Sequence, residues 1–135
     1  MKNTRTRSIE KPPKSVKTHG LSHLSLAVRD PERSLKFYQT VFGVKEYFRD
    51  ADSIQVLGPG RKDVLAFEKD HILAGKGGGL THFGFRLTKP GDIDTAVALV
   101  QLAGGKILSR GEFSPDSPYA FILDPDGYEI EIWYE

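Results

Sequence analysis

The chain has 135 residues and a formal net charge of +1, with 19 basic side chains, 18 acidic side chains and no cysteine. This length suits one domain, or two half-size modules that share a core. The lack of cysteine excludes disulfides, thiolate metal ligands and a cysteine nucleophile. No apolar run is long enough to cross a bilayer and no secretory signal opens the sequence, so we predict a cytoplasmic protein without a membrane partner.

Charge is distributed unevenly along the chain. Residues 1–20 hold six basic side chains and one acidic side chain, and the remaining residues hold 13 basic and 17 acidic ones. Pro12 and Pro13 disfavour a helix near the N-terminus, and we predict a disordered basic leader over residues 1–19. Because the mildly acidic body has neither a basic stripe nor a nucleic-acid motif, we predict no nucleic-acid partner.

From residue 20 onward, the same order of elements occurs twice at a spacing of about sixty residues. Each copy begins with a strand of alternating apolar residues, continues into an amphipathic helix and ends in three strand-like runs. Asp30 and Asp92 are the expected N-caps of the two helices, and Gly43 and Gly104 are the expected stops. The pattern predicts the unit βαβββ, present twice.

The predicted fold is therefore α+β, with a first module over residues 20–70 and a second over 80–135. Two such sheets form a curved, barrel-like mixed-sheet cleft with the helices outside. The glycine-rich segment 71–79 joins the modules. Its glycines lead into a strand, whereas a phosphate-binding loop leads into a helix, so we interpret it as a flexible linker.

Three polar side chains occur where the strands would otherwise be apolar. His23 and His82 lie in the first strand of each module, and Glu131 lies in the last strand of the chain. Two histidines and one carboxylate form a divalent-metal site if the fold brings the strands together. The sequence therefore predicts a metal site at the mouth of the cleft.

The same segments carry a family resemblance. The segment Leu21–Tyr38 with Gly43, the segment Thr81–Phe85 and the ending Asp124–Glu131 resemble the vicinal oxygen chelate superfamily. This superfamily includes glyoxalase I, fosfomycin resistance proteins, bleomycin resistance proteins and extradiol dioxygenases. The resemblance implies that His23, His82 and Glu131 hold one divalent ion per site, either Zn²⁺, Mn²⁺, Fe²⁺ or Ni²⁺. It also implies a lyase, isomerase or thiol-transferase reaction in which the metal chelates vicinal oxygens of a small substrate and stabilises an oxyanion.

The branches of the superfamily differ in their additional residues. The fourth ligand of glyoxalase I falls on Ala66, which leaves Glu68 as the candidate catalytic carboxylate. Similarity to fosfomycin-modifying enzymes makes Ser25 and Arg86 candidate substrate-binding residues. The other candidates for substrate binding are aromatic: Tyr119, Phe121 and Trp133.

Two alternatives remain open. One is a metal-free binder of the bleomycin resistance type, in which these three aromatic residues and Phe85 line the cleft. The other is an extradiol dioxygenase, for which His71 would have to supply the additional histidine. Members of the superfamily that it resembles are often dimers, so we expect a homodimer. His23 of one chain then joins His82 and Glu131 of the other, and a thiol cosubstrate is an open alternative.

Overall fold

Each half of the chain folds as one helix and four strands, in the predicted order. The computed structural model describes residues 14–60 and 62–135. The first module comprises β1 (His23–Val28), α1 (Pro31–Phe42), β2 (Lys45–Arg49), β3 (Ser53–Leu57) and β4 (Val64–Lys69). The second comprises β5 (Phe83–Arg86), α2 (Ile93–Leu102), β6 (Lys106–Glu112), β7 (Pro118–Leu123) and β8 (Glu129–Trp133). The predicted pair of βαβββ modules is confirmed.

Most of the predicted leader lies outside the described residues, which begin at residue 14. Residues 14–22 contain no helix or strand, and their side chains are exposed. Neither helix of the described ranges is long and apolar enough to cross a membrane.

The strands form two separate four-stranded mixed sheets that do not close into a single barrel. The first sheet has the order β1-β4-β3-β2, and the second has the equivalent order β5-β8-β7-β6. In each sheet the first and last strands of the module pair in parallel, and the other pairs are antiparallel. The two sheets can therefore be compared position by position.

The helix ends follow from local sequence. The Asp30 carboxylate accepts a hydrogen bond of 3.0 Å from the Glu32 N–H, and α1 ends at Gly43, whose φ of 65° is left-handed. These are the expected N-cap and C-cap signals. Asp92 precedes α2 as predicted but makes no side-chain cap hydrogen bond, because a short 3₁₀ turn over Pro90–Asp92 leads into the helix.

Both modules contribute to one hydrophobic core, with the helices packed against one face of the sheets. Tyr38 of α1 lies against Phe67 of β4, with ring centroids 5.0 Å apart. Phe42 of α1 stacks on Phe85 of β5 at 3.8 Å. Phe85 therefore belongs to the core, and its proposed place in a ligand cleft is not supported by this packing.

A buried carboxylate in the turn between β7 and β8 joins the two modules. The Tyr38 hydroxyl donates to Asp124 Oδ2 at 2.8 Å, and Asp124 Oδ1 accepts from the N–H groups of residues 126, 127 and 128. Burial raises the pKa of Asp124, and the hydrogen bond from Tyr38 opposes this shift. Burial, followed by the charge of Asp124, raises the pKa of Tyr38 well above its ordinary value.

A second carboxylate of the same turn binds the start of α1. Asp126 has a fully buried side chain, and its Oδ1 accepts from the guanidinium groups of Arg29 at 3.2 Å and Arg33 at 3.0 Å. Oδ1 also accepts from the Arg29 backbone N–H at 3.0 Å. The turn that precedes β8 is thus held from the first module.

Candidate metal and substrate site

Each sheet has one face packed on the helices and an opposite face, here called the open face, whose side chains are mostly exposed or half-buried. On β8, Ile130 and Ile132 point into the core, so Glu129, Glu131 and Trp133 lie on the open face. This alternation follows from the two-residue period of a strand. The predicted polar set is therefore directed away from the core.

The open face of the second sheet brings together His82 and Glu131. His82 directly precedes β5, which runs parallel to β8, and its Nε2 atom lies 3.4 Å from Glu131 Oε2. Its Nδ1 atom lies 3.7 Å from Glu129 Oε2. The ring also meets Phe121 edge-on, with centroids 5.3 Å apart. Glu129 is an additional carboxylate that sequence reasoning did not assign, although its spacing of two residues from Glu131 signals a shared face.

Gly84 packs closely against the backbone of Glu131. It is the register partner of Glu131 in the parallel pair of β5 and β8. A Cβ atom at residue 84 would lie 3.0 Å from the Glu131 carbonyl oxygen and 3.6 Å from its Cβ atom. A larger residue at this position would therefore crowd the backbone and the Cβ atom of Glu131.

The open face of the first sheet carries the other polar residues that the sequence singled out. His23 is exposed at the start of β1, and its Nδ1 atom lies 2.7 Å from the Ser22 hydroxyl. Two residues along the strand, the Ser25 hydroxyl donates to Glu68 Oε2 at 2.6 Å. The structure thus places His23, Ser25 and Glu68 on one sheet, and His82 and Glu131 on the other.

The registers identify the equivalent positions of the two sheets. Ser25 pairs with Ala66 in the first sheet, as Gly84 pairs with Glu131 in the second. Ala66 is therefore the counterpart of Glu131, and the first sheet has an alanine where the second has a candidate ligand. Glu68 is the counterpart of Trp133, one step further along the strand face.

The separation of His82 and Glu131 suits two ligands of one divalent ion. Ligand atoms at about 2.1 Å from an ion lie about 3.0 to 3.4 Å apart, depending on octahedral or tetrahedral geometry. Imidazole and carboxylate are also ligands that Zn²⁺, Mn²⁺ and Fe²⁺ accept. Within one chain, however, residues 14–60 and 62–135 contain no cluster of three His, Asp or Glu side chains able to hold a metal ion.

The predicted substrate-binding residues divide between the two sheets. Tyr119, Phe121 and Trp133 lie on the same open face as His82, and Arg86 lies beside Trp133 with its guanidinium carbon 5.7 Å from the ring centroid. Ser25 lies on the first sheet, on the same face as Glu68.

Two further residues, one cationic and one the histidine considered for ring cleavage, lie elsewhere. Arg110 pairs with Asp94 of α2. His71 follows β4 in a turn and lines a separate cavity of about 440 Å³ with Arg49 and Asp50.

The fold agrees with comparisons to known proteins. Residues 20–132 match the model of the Glyoxalase/Bleomycin resistance protein/Dioxygenase superfamily. The chain belongs to this superfamily.

Solved structures show the same fold. The fosfomycin resistance protein FosX of Mesorhizobium loti is 21% identical over 88% of this chain and 94% of its own, with a TM-score of 0.73. FosX of Listeria monocytogenes is 17% identical over 86% of this chain and 90% of its own, with a TM-score of 0.72; that structure is a variant in complex with Mn(II) and 1S,2S-dihydroxypropylphosphonic acid. A glyoxylase/bleomycin resistance protein/dioxygenase domain from Frankia is 24% identical over 87% of this chain and 98% of its own, with a TM-score of 0.69.

Proposed function

We propose that this protein is a divalent-metal-dependent enzyme of its superfamily, with each metal site assembled from two subunits. His82 and Glu131 of one subunit would hold the ion together with His23 of the partner subunit. The observation that carries the proposal is the 3.4 Å approach of His82 Nε2 to Glu131 Oε2 on an open face, while His23 lies on the open face of the other sheet. A homodimer with two such sites supplies each pair with its third ligand.

A bound ion would act as a Lewis acid that stabilises an oxyanion on a small substrate with two neighbouring oxygens. Ala66 lies at the position equivalent to Glu131, so the first sheet supplies no second carboxylate ligand at this position. Coordination positions of the ion would therefore stay open for the substrate. This difference disfavours a glyoxalase I type of four-ligand site.

Glu68 is the proposed proton acceptor. The Ser25 hydroxyl donates to its Oε2 atom at 2.6 Å and holds the carboxylate on the face that also carries His23. A carboxylate fixed beside the substrate can remove a proton during an isomerase, lyase or transferase reaction. We expect Glu68→Gln to abolish most turnover while leaving Mn²⁺ affinity within twofold of wild type, since Glu68 is not a proposed ligand.

The assembly of the site can be tested by mixing two inactive variants. His23→Ala and Glu131→Ala should each lose Mn²⁺ binding as homodimers. After subunit exchange, half of the dimers are mixed, and each mixed dimer regains one intact site. Isothermal titration should then find about one quarter of the wild-type number of sites, whereas no recovery after verified exchange would contradict sites shared between subunits. His71→Ala, at a histidine outside the proposed site, is the matched control.

A metal-free binder of planar molecules is the second candidate function. Aromatic side chains on the open face of the second sheet favour it, because Tyr119 contacts Phe121 edge-on with centroids 5.6 Å apart. Such a protein would bind its ligand equally with and without divalent metal. Elemental analysis of protein purified without chelator, compared with His82→Ala, separates the two functions, because equal metal content would favour the binder.

Extradiol ring cleavage is the third candidate. His71, the histidine available for it, lines a cavity with Arg49 and Asp50 instead of lying in a strand of either open face. We therefore expect no substantial turnover of catechol with Fe²⁺.

The absence of cysteine is compatible with a reducing compartment, and a cytoplasmic location stays a prediction.

A further inference from the structure

A row of aromatic rings crosses the open face of the second sheet and ends at His82. Phe113 follows β6 and stacks on Tyr119 with centroids 4.3 Å apart, and it meets Trp133 edge-on at 6.2 Å. Tyr119 contacts Phe121 at 5.6 Å, and Phe121 contacts His82 at 5.3 Å. The residues Phe113, Tyr119, Phe121 and Trp133 are called the aromatic row below.

The sequence gives no periodic signal for Phe113, which lies just beyond a strand. Its side chain is 57% exposed and therefore accessible to a ligand. Beneath the stack, Gly111 pairs with Tyr119, and a Cβ atom at residue 111 would lie only 2.7 Å from the Tyr119 hydroxyl. The absence of a side chain at Gly111 therefore lets the Tyr119 ring lie across β6, where Phe113 stacks on it.

Three charged side chains lie beside the aromatic row. Glu129 and Glu131 are the carboxylates of β8 on this face. Arg86 is a nearby cation, but its guanidinium donates to Glu135 at 3.0 Å and lies over the Trp133 ring. The aromatic rings are therefore the recognition surface that lies next to His82 and Glu131.

We propose that the aromatic row binds a planar aromatic group of the substrate, with Phe113 as a specificity-determining residue. The inference rests on the proposed function, because the ring would lie on Phe113, Tyr119 and Trp133 while neighbouring oxygens of the same molecule reach His82 and Glu131. Ring stacking supplies a preference for aromatic over saturated groups of equal size. The substrate class is thus a small aromatic compound with vicinal oxygens.

Trp133 is the only tryptophan of the chain and reports binding directly by its fluorescence. The probe is 1-phenyl-1,2-ethanediol, titrated into the full-length protein with saturating Mn²⁺. The matched ligand is 1-cyclohexyl-1,2-ethanediol, which keeps the diol and the apolar bulk but lacks the aromatic ring. We expect the phenyl diol to bind at least fivefold more tightly than the cyclohexyl diol.

Phe113→Leu tests the residue itself, because leucine keeps an apolar side chain and removes the ring. The variant should weaken binding of the phenyl diol about three- to tenfold and leave the cyclohexyl diol within twofold. Phe48→Leu is the matched control, since Phe48 is an exposed aromatic residue at the equivalent edge strand of the first module, 46% exposed. Equal loss in both variants, or equal affinity of wild type for phenyl and cyclohexyl diols, would overturn the proposal.

A separate Mn²⁺ titration without ligand distinguishes this failure from failure of the proposed function. If the protein binds Mn²⁺ but does not prefer the phenyl diol over the cyclohexyl diol, the aromatic substrate class is refuted and the proposed metal-dependent function stands. If the protein binds no Mn²⁺ but still prefers the phenyl diol, the metal-dependent function is refuted and the proposed role of the aromatic row is supported.

Discussion

Asp124 is the residue whose chemistry links the two modules most directly. Its carboxylate is buried, accepts three backbone N–H groups of its own turn and accepts the hydroxyl of Tyr38 from α1. A buried carboxylate is costly unless its oxygens are hydrogen-bonded, and here both oxygens have partners. The stability of the chain therefore depends on this contact in two ways that can be measured.

Removing the hydroxyl of Tyr38 should leave Asp124 Oδ2 without its donor. We expect Tyr38→Phe to lower the free energy of unfolding by about 1 to 3 kcal/mol, because a buried acceptor loses its partner. Urea unfolding measures the change. Tyr47→Phe is the control, since the Tyr47 hydroxyl donates to Gln55 at an exposed position and its removal should cost about 0.5 kcal/mol or less. Equal losses would contradict the role assigned to the buried contact.

The raised pKa of Asp124 predicts a pH dependence of stability. The folded state binds this proton more tightly than the unfolded state, so the contribution of Asp124 is fully present below its unfolded pKa and is lost as pH rises through the raised folded pKa. Asparagine cannot ionise and can still face the Tyr38 hydroxyl. The stability of Asp124→Asn relative to wild type should therefore increase as pH rises from about 3.8, the ordinary pKa, toward neutral. Urea unfolding of both proteins across this range checks the sign, and a constant or decreasing difference would refute it.

At the scale of single elements, the two helices begin by different means. Asp30 caps α1 with a hydrogen bond to Glu32, whereas Asp92 makes no such bond at α2. We expect Asp30→Ala to lower the free energy of unfolding by about 1 kcal/mol and Asp92→Ala to change it by less than about 0.5 kcal/mol. Thermal or urea unfolding of the two variants gives the comparison. A larger loss for Asp92→Ala would mean that the cap geometry is not the source of stability.

At the scale of the whole molecule, Asp126 holds the turn before β8 against α1. Its buried carboxylate accepts from Arg29 and Arg33, which are themselves about half exposed. We expect Asp126→Ala to cost about 1 to 3 kcal/mol of unfolding free energy, with water compensating part of the loss at the exposed arginines. Unfolding followed by Trp133 fluorescence and far-UV circular dichroism measures it, and the exposed Asp52→Ala is the control. An equal loss of unfolding free energy in Asp52→Ala would contradict the proposed role of Asp126 in linking the modules.

The sequence by itself determined the local structure and the residue types of the candidate site. The strand and helix periods predicted both βαβββ modules, Asp30 and Gly43 marked α1, and the alternation along β8 put Glu129, Glu131 and Trp133 on one face. The structure agrees at each of these places because such signals depend on neighbours a few residues apart.

Only the tertiary structure decided how these local pieces are combined. Contacts such as Tyr38 with Asp124, 86 positions apart in the chain, pack the modules through their helices and turn both open faces outward. This packing leaves His23 out of reach of His82 and Glu131 within one chain, directs Phe85 into the core and stacks Phe113 on Tyr119. No local period encodes these pairings, because they arise from complementary surfaces of distant segments and from the desolvation of the groups buried between them.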